Sequence, residues 1–243
     1  MSDTAEKQPI LAHIHELRRR LTWAVGALLV GTIVSFIFAE DLLTFLIAPY
    51  GARVQAISPT DTIETYFKVA LVSGAILTMP IILLQIWLFV SPGLERHERR
   101  LVYIFVPAAF GLFLTGIVFS WLVLLPAAIR FLADFMPDIF NVEWTAPEYI
   151  GFTTSFLFWI GVSFEMPLVI YLLARVGLVT AAALREHWRV AVVAIAILSA
   201  VITPSIDPMT MMLTMAPLIV LYLVSIVLAV VGERQFQRSM AVT

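Results

Sequence analysis

The sequence predicts an all-α membrane protein of six transmembrane helices with both termini inside, structured outer loops and two short final spans. Three observations carry that prediction. The residues are 61% apolar and 13% charged, with a mean hydropathy of +0.97, whereas soluble domains hold about 45–50% apolar and about 25% charged residues. The apolar residues gather into six runs, most of them near the ~20 residues needed to cross hydrocarbon. The basic residues fall on alternate connections, the asymmetry that orients spans in a bilayer.

Taken in order, MSDTAEKQPI is polar and places Asp3 and Glu6 ahead of any apolar run. A cleaved signal peptide does not begin that way, so this segment is expected to stay on the mature chain. The first span is expected over 21–39 and ends outward near FLIAPY, where Pro49 stops the helix. In DTIETYFK, Asp61 with Glu64 three residues on reads as a capping box opening a helix that runs into the second span, 69–90, where Pro80 predicts a kink. QIWLFVSPGLERHERR then turns the chain, because Pro92 beside Gly93 stops a helix and the following charges cannot enter hydrocarbon. A third span is expected over 101–126 and a fourth over 149–173. In the fourth, Pro167 frees the Ser163 carbonyl and predicts a bend beside Glu165. The fifth, 188–203, has only sixteen residues, or ~24 Å at 1.5 Å per residue, so the membrane must thin or its end must reach a wet region. ITPSIDP forms the next turn, with Asp207 placed to cap the sixth span, 211–231. No repeat or low-complexity tract appears, and residues 1–243 read as one domain.

Lys7, Arg18, Arg19 and Arg20 precede the first span. Arg96, Arg99 and Arg100 lie between the second and third, Arg175, Arg185 and Arg189 between the fourth and fifth, and Arg234 and Arg238 after the sixth. The other face has Arg53, Lys68 and Arg130 and is otherwise acidic. Both termini and the Pro92 corner are therefore expected in the cytoplasm.

The chain has no Cys and four His, and it lacks GxSxG, HExxH and a phosphate-binding glycine loop. No enzyme, metal site or cofactor is expected, and no nucleic acid partner. Four constellations remain, one of them the ITPSIDP turn, which reads first as a simple hairpin cap. In HIHELRRR, helical spacing sets His13, Glu16 and Arg20 along one side, as an internal ion pair or as an acceptor for a cationic ligand. In the corner, Glu95 pairs by spacing with Arg99 and leaves Glu98 without a local partner; the corner is a solvated loop that sets topology, or a carboxylate so placed accepts two parallel bonds from a ligand guanidinium. Glu165 lies deep in a span, where an ionisable group marks a functional site by default; it is protonated, faces a wet cavity, or accepts from a partner helix, the structural alternative being a satisfied hydrogen bond inside the bundle. As a proton carrier it supports a second reading, a proton-coupled secondary transporter, although no repeat accompanies it. A plain membrane scaffold is the third.

HIHELRRR, IAPY, the FVSPGLERHERR corner, the FE of GVSFEMP and TPxxD between the final spans together resemble TatC, the six-span core of the twin-arginine protein translocase. The resemblance covers essentially the whole chain. It implies a multi-pass protein of the bacterial inner membrane, a receptor for twin-arginine signal peptides of folded precursors. It also implies TatA- and TatB-like single-span partners, self-association in a larger complex, and transport driven by the proton-motive force. Glu16 and Glu98 would pair with the two arginines, and His13, Arg18, Arg20, Phe89, Pro92 and Leu94 would shape the pocket. Glu95 stands where an aromatic or small polar residue is frequent, which leaves open which glutamate does the pairing. Pro49, Phe67 and Lys68 match outer positions, Glu165 the intramembrane glutamate and Asp207 the outer aspartate, although TPSIDP is one residue longer than the usual turn. Partner helices would dock near Met209, Met212 and Met215.

Overall fold

Hydrocarbon offers no hydrogen bonds to backbone N–H and C=O groups, so a chain this apolar satisfies them within its own helices. In the computed structural model, which describes residues 7–51, 53–90, 102–134, 138, 143–203 and 207–242, nearly every described residue is helical and none lies in a strand. Five helical stretches are long and apolar enough to cross a membrane, and a sixth, Trp188–Ile202, is shorter. The six-span architecture is therefore the observed one.

The boundaries differ from the apolar runs in instructive ways. Helix α1 (Lys7–Ile37) begins well before its apolar run because HIHELRRR is itself made of helix-compatible residues. A single turn residue, Phe38, separates it from α2 (Ala39–Ile47) and a 3₁₀ turn (Ala48–Tyr50). Helix α3 (Asp61–Val90) runs unbroken through Pro80. Its expected capping box does not form: Asp61 Oδ2 accepts instead from the Ile57 and Ser58 N–H groups, both at 2.9 Å. The third span is α4 (Val102–Phe119), a π turn (Ser120–Leu124) and α5 (Leu125–Ala133). It passes the expected end at Pro126, since the wide turn just before that residue tolerates its missing N–H.

The fourth span is α6 (Ala146–Ser163) and α7 (Met166–Arg175), broken at 164–165 as Pro167 predicts. Helices α8 (Ala181–Glu186), α9 (Trp188–Ile202) and α10 (Pro208–Val242) complete the chain. Helix α9 is short, as expected. The sixth helix is not: its apolar run over 211–231 is already long enough to span, and its 35 residues continue through the polar GERQFQ segment.

The chain divides into two compact units, residues 1–43 with 66–110 and residues 44–65 with 111–243. In the first, α1 and α3 run antiparallel and touch through glycines. A Cβ on Gly31 would stand 2.8 Å from the Gly74 carbonyl oxygen, and one on Gly74 2.5 Å from the Thr32 nitrogen. Further along, the Tyr66 hydroxyl donates to the Phe36 carbonyl at 2.8 Å, and Phe67 meets the Phe36 ring edge-on at 4.8 Å.

The second unit has its core on α6, where Tyr149, Ile150, Phe156 and Ile160 are fully buried. Gly116 and Gly161 bring α4 against α6, the Gly116 Cα facing the Phe164 ring where a Cβ would be 2.8 Å from Cγ. Helix α10 lies along α7, with Gly232 against the Tyr171 carbonyl. Large apolar side chains such as Leu29, Val30, Val193 and Val227 point outward, the reverse of a soluble core and the pattern hydrocarbon demands.

Gly74→Val should destabilise the first unit by about 1–3 kcal/mol, since backbone atoms of α1 cannot yield to a side chain. Gly26, with nothing within 4 Å of its added Cβ, should accept Ala with no loss. Thermal unfolding in detergent of the two variants checks the contrast.

Candidate functional site

The start of α1 carries the first candidate group. Glu16 and Arg20 form the i, i+4 pair the spacing predicts, Oε1 accepting from Nη2 at 3.3 Å with both side chains about a quarter exposed or less. Arg20 Nε is buried without an acceptor among the described residues, while Arg18 and Arg19 are exposed. The antiparallel register sets the level of this pair. Glu16 lies fifteen residues before Gly31, and Phe89 fifteen after its neighbour Gly74, so Glu16 stands level with the last turn of α3. Phe89 is half-buried there. Pro92, Leu94, Glu95 and Glu98 lie outside the described residues, as does the side chain of His13, whose backbone belongs to α1.

Two neighbours at that end were not singled out by sequence reasoning. Trp87 is buried and stacks on Phe105 at 5.4 Å, and the Gln85 side-chain oxygen is buried without a partner among the described residues. An amide and an indole inside an otherwise aliphatic run, one turn before the charged corner, were the available signal.

Glu165 sits in the helix break. Its own N–H bonds to the Val162 carbonyl at 3.0 Å, and its carbonyl receives the N–H groups of Leu168 and Val169, so the backbone is satisfied across the interruption. The side chain is 7% exposed and is the one acidic or basic residue among the buried described residues. Its Oε1 accepts no hydrogen bond from any of them. Phe164, the residue before it, packs into the Gly116–Gly161 crossing, its ring tilted against Phe119 with centroids 5.7 Å apart.

The loops flanking α2 and α6 are fastened together. Gln55 donates its N–H to the Trp144 carbonyl and accepts from the Ala146 N–H, a lone parallel bridge among the described residues, while its side-chain amide donates to Glu143. The Tyr149 hydroxyl, fully buried, donates to the Leu46 carbonyl at 3.0 Å, and the Tyr50 and Tyr149 rings meet at 5.4 Å. Pro49 is thereby held in a short turn that closes on Gly51 at φ +73°. A capping box does occur here, at Thr145 and Glu148; TAPE is a Thr-x-x-Glu signal that sequence reasoning passed over. Phe67 is exposed and Lys68 half-buried, on α3 of the first unit.

Asp207 caps α10 as expected, its Oδ1 accepting from the Thr210 N–H at 2.6 Å. Along α10, Thr210, Thr214, Leu218, Tyr222, Ser225 and Ala229 form the buried stripe. Met209 and Met212 are exposed and Met215 is half-buried. Met209 and Met212 border an apolar cavity of about 350 Å³, together with Phe131 and Leu213. Among the described residues no group of three His, Asp or Glu side chains is placed to hold a metal ion.

The comparisons with known proteins bear on the same six-span frame. Residues 12–217 match the model of the Sec-independent protein translocase protein TatC. The chain belongs to the TatC family. It is 36% identical over 217 residues to the Sec-independent protein translocase protein TatC of Helicobacter pylori strain J99, with 89% of this chain and 87% of that protein covered. A chloroplastic TATC of Arabidopsis thaliana is 38% identical over 227 residues, covering 90% of this chain and 65% of the plant protein. The crystal structure of a twin arginine translocase receptor, TatC, superposes with a TM-score of 0.83 at 31% identity, over 90% of this chain and 99% of that one. The chain is thus a multi-pass membrane protein of a protein translocase family, with a transport role and a place in a Tat assembly.

Asp207→Ala should cost about 1 kcal/mol by leaving the Thr210 N–H without its acceptor, and Asp207→Asn much less. Thermal unfolding of the two variants in detergent measures the difference.

Proposed function

We propose that this TatC-family chain is the signal-peptide receptor and core subunit of a twin-arginine translocase in a bacterial inner membrane, without catalytic activity. Both termini and the Pro92 corner are cytoplasmic, consistent with the distribution of arginine along the chain. The observation that carries the reading is the Glu16–Arg20 pair at the level of the last turn of α3. Arg20 orients the Glu16 carboxylate there, beside the helix end that leads into the segment bearing Glu98. Two carboxylates so supplied offer bidentate acceptors to two consecutive guanidiniums, a geometry that ammonium groups do not match. The surrounding arginines repel peptides that are merely basic, which sharpens the choice. His13, Arg18, Phe89, Pro92, Leu94 and Glu95 shape the pocket.

TatA- and TatB-like single-span helices dock on the exposed Met209 and Met212 side of α10, with Met215 at its edge, and Glu165 accepts a polar group from such a helix. The proton-motive force drives transport of folded precursors, and copies of the chain associate in the larger complex. Partner docking is favoured over proton carriage because Glu165 is the one buried acidic or basic residue among the described residues, and a proton path needs successive titratable groups.

Glu98→Ala should abolish crosslinking of a twin-arginine signal peptide and Glu16→Ala should reduce it, with both proteins still inserted; undiminished crosslinking in both variants would reject the pocket. Glu165→Gln should lower the recovery of TatA- or TatB-like subunits in co-purification and leave peptide crosslinking intact. Recovery at the wild-type level would count against the partner role.

A further inference from the structure

We propose that the elbow joining α8 to α9 binds the phosphate headgroup of an anionic phospholipid through Arg185 and Arg189, with Trp188 seated at the interface beside them. The inference requires only that α9 lies in a bilayer, and it is independent of the receptor reading.

The charges at the elbow are available to a ligand. Arg185, Trp188 and Arg189 are all exposed, and neither guanidinium is engaged by a carboxylate among the described residues. Glu186, exposed in the same turn, forms no ion pair with either. The Arg189 guanidinium carbon stands 5.6 Å from the centre of the Trp188 ring, a cation–π arrangement that holds the charge beside an indole. Guanidinium forks match phosphate oxygens two at a time, and indoles concentrate where headgroups meet acyl chains.

The elbow is also rigidly mounted. Thr180 caps α8 through the Ala183 N–H at 3.1 Å. At the start of α8 the Ala181 N–H donates to Glu233 Oε1, and near its end the Tyr222 hydroxyl donates to the Leu184 carbonyl, each at 2.5 Å, so two residues of α10 grip the helix. Ala174, Ala181 and Ala229 pack together beneath it. His187 closes the turn with its N–H on the Ala183 carbonyl at 3.0 Å. Side chains presented from a fixed platform lose less freedom on binding than those on a mobile loop.

Position commits the site to lipid. Trp188 opens α9, and Val190 and Val193 beside it are exposed and apolar, surfaces that acyl chains cover and a free anion does not. The fifteen residues of α9 reach ~22 Å at 1.5 Å each, short of ~30 Å of hydrocarbon. A short span cannot meet both headgroup layers, so an anchor at the Trp188 end transfers the whole shortfall to the Ile202 end.

The full-length protein, reconstituted in nanodiscs of mixed phosphatidylglycerol and phosphatidylethanolamine and released into detergent, is weighed by native mass spectrometry to count retained phosphatidylglycerol. The wild type should retain it in preference to phosphatidylethanolamine. R185Q/R189Q should lower that retention roughly thirtyfold, the loss expected for two basic residues at an anionic surface. R53Q, which removes an exposed charge elsewhere, should leave it unchanged, and R185K/R189K should fall between. Equal retention in wild type and R185Q/R189Q, with R185K/R189K also unaltered, overturns the proposal. Displacement of the lipid by inorganic phosphate would show a free-anion site and overturn it equally.

Discussion

A bilayer interior leaves no polar atom to water, and that constraint shapes almost every local feature of this chain. The hydroxyls show it most directly. Thr32, Thr78, Thr115, Thr154, Ser163, Thr203, Thr214 and Ser225 each donate to the carbonyl four residues earlier, at 2.6–2.9 Å. A side chain that would weaken a soluble helix by competing for its backbone is here satisfied by it. Serine and threonine can then sit at membrane depth without marking a site. Glu165 cannot use that solution; the hydroxyls of Ser120, Thr153, Ser199 and Thr210 are also buried without partners among the described residues, but Glu165 is the one acid among the buried side chains.

The interruptions in the helices follow the same rule. At 164–165 the backbone remains bonded through Val162 and Glu165 while the chain turns, so the break that Pro167 imposes costs little. The π turn at 120–124 precedes Pro126 and keeps the third span going. Glycine does the complementary work between helices: Gly31 with Gly74, and Gly116 with Gly161, permit backbone approaches no other residue allows. Without a hydrophobic drive between helices in lipid, close packing of this kind supplies much of the association.

How far the sequence disclosed this depended on whether a feature was local. Composition, six apolar runs, the short α9, the Glu16–Arg20 pair, the break at Pro167 and the Asp207 cap all follow from neighbours within four residues or so, and they appear as read. Asp61 misled because a carboxylate at a helix start can turn back to the preceding loop as readily as forward into the helix. The glycine crossings, the bridge from Gln55 to Thr145 and the Tyr149 bond to Leu46 join residues far apart in sequence. No periodicity encodes them. The extent of α10 past its apolar run was hidden for another reason, since hydropathy marks where lipid ends and not where a helix does.

The functional reading rests on a carboxylate, Glu16, steadied by its own arginine near the start of α1, level with the turn where α3 gives way to the segment bearing Glu98. Forked acceptors of that kind distinguish planar guanidiniums from compact ammonium groups of equal charge. The most direct measurement is therefore retention of the detergent-solubilised protein on two immobilised signal peptides that differ only in carrying paired arginines or paired lysines. Carboxylates arranged for guanidinium retain the protein on the arginine peptide and leave the lysine peptide at background. Equal retention on both would mean that charge alone is recognised, and the proposed pocket would be wrong.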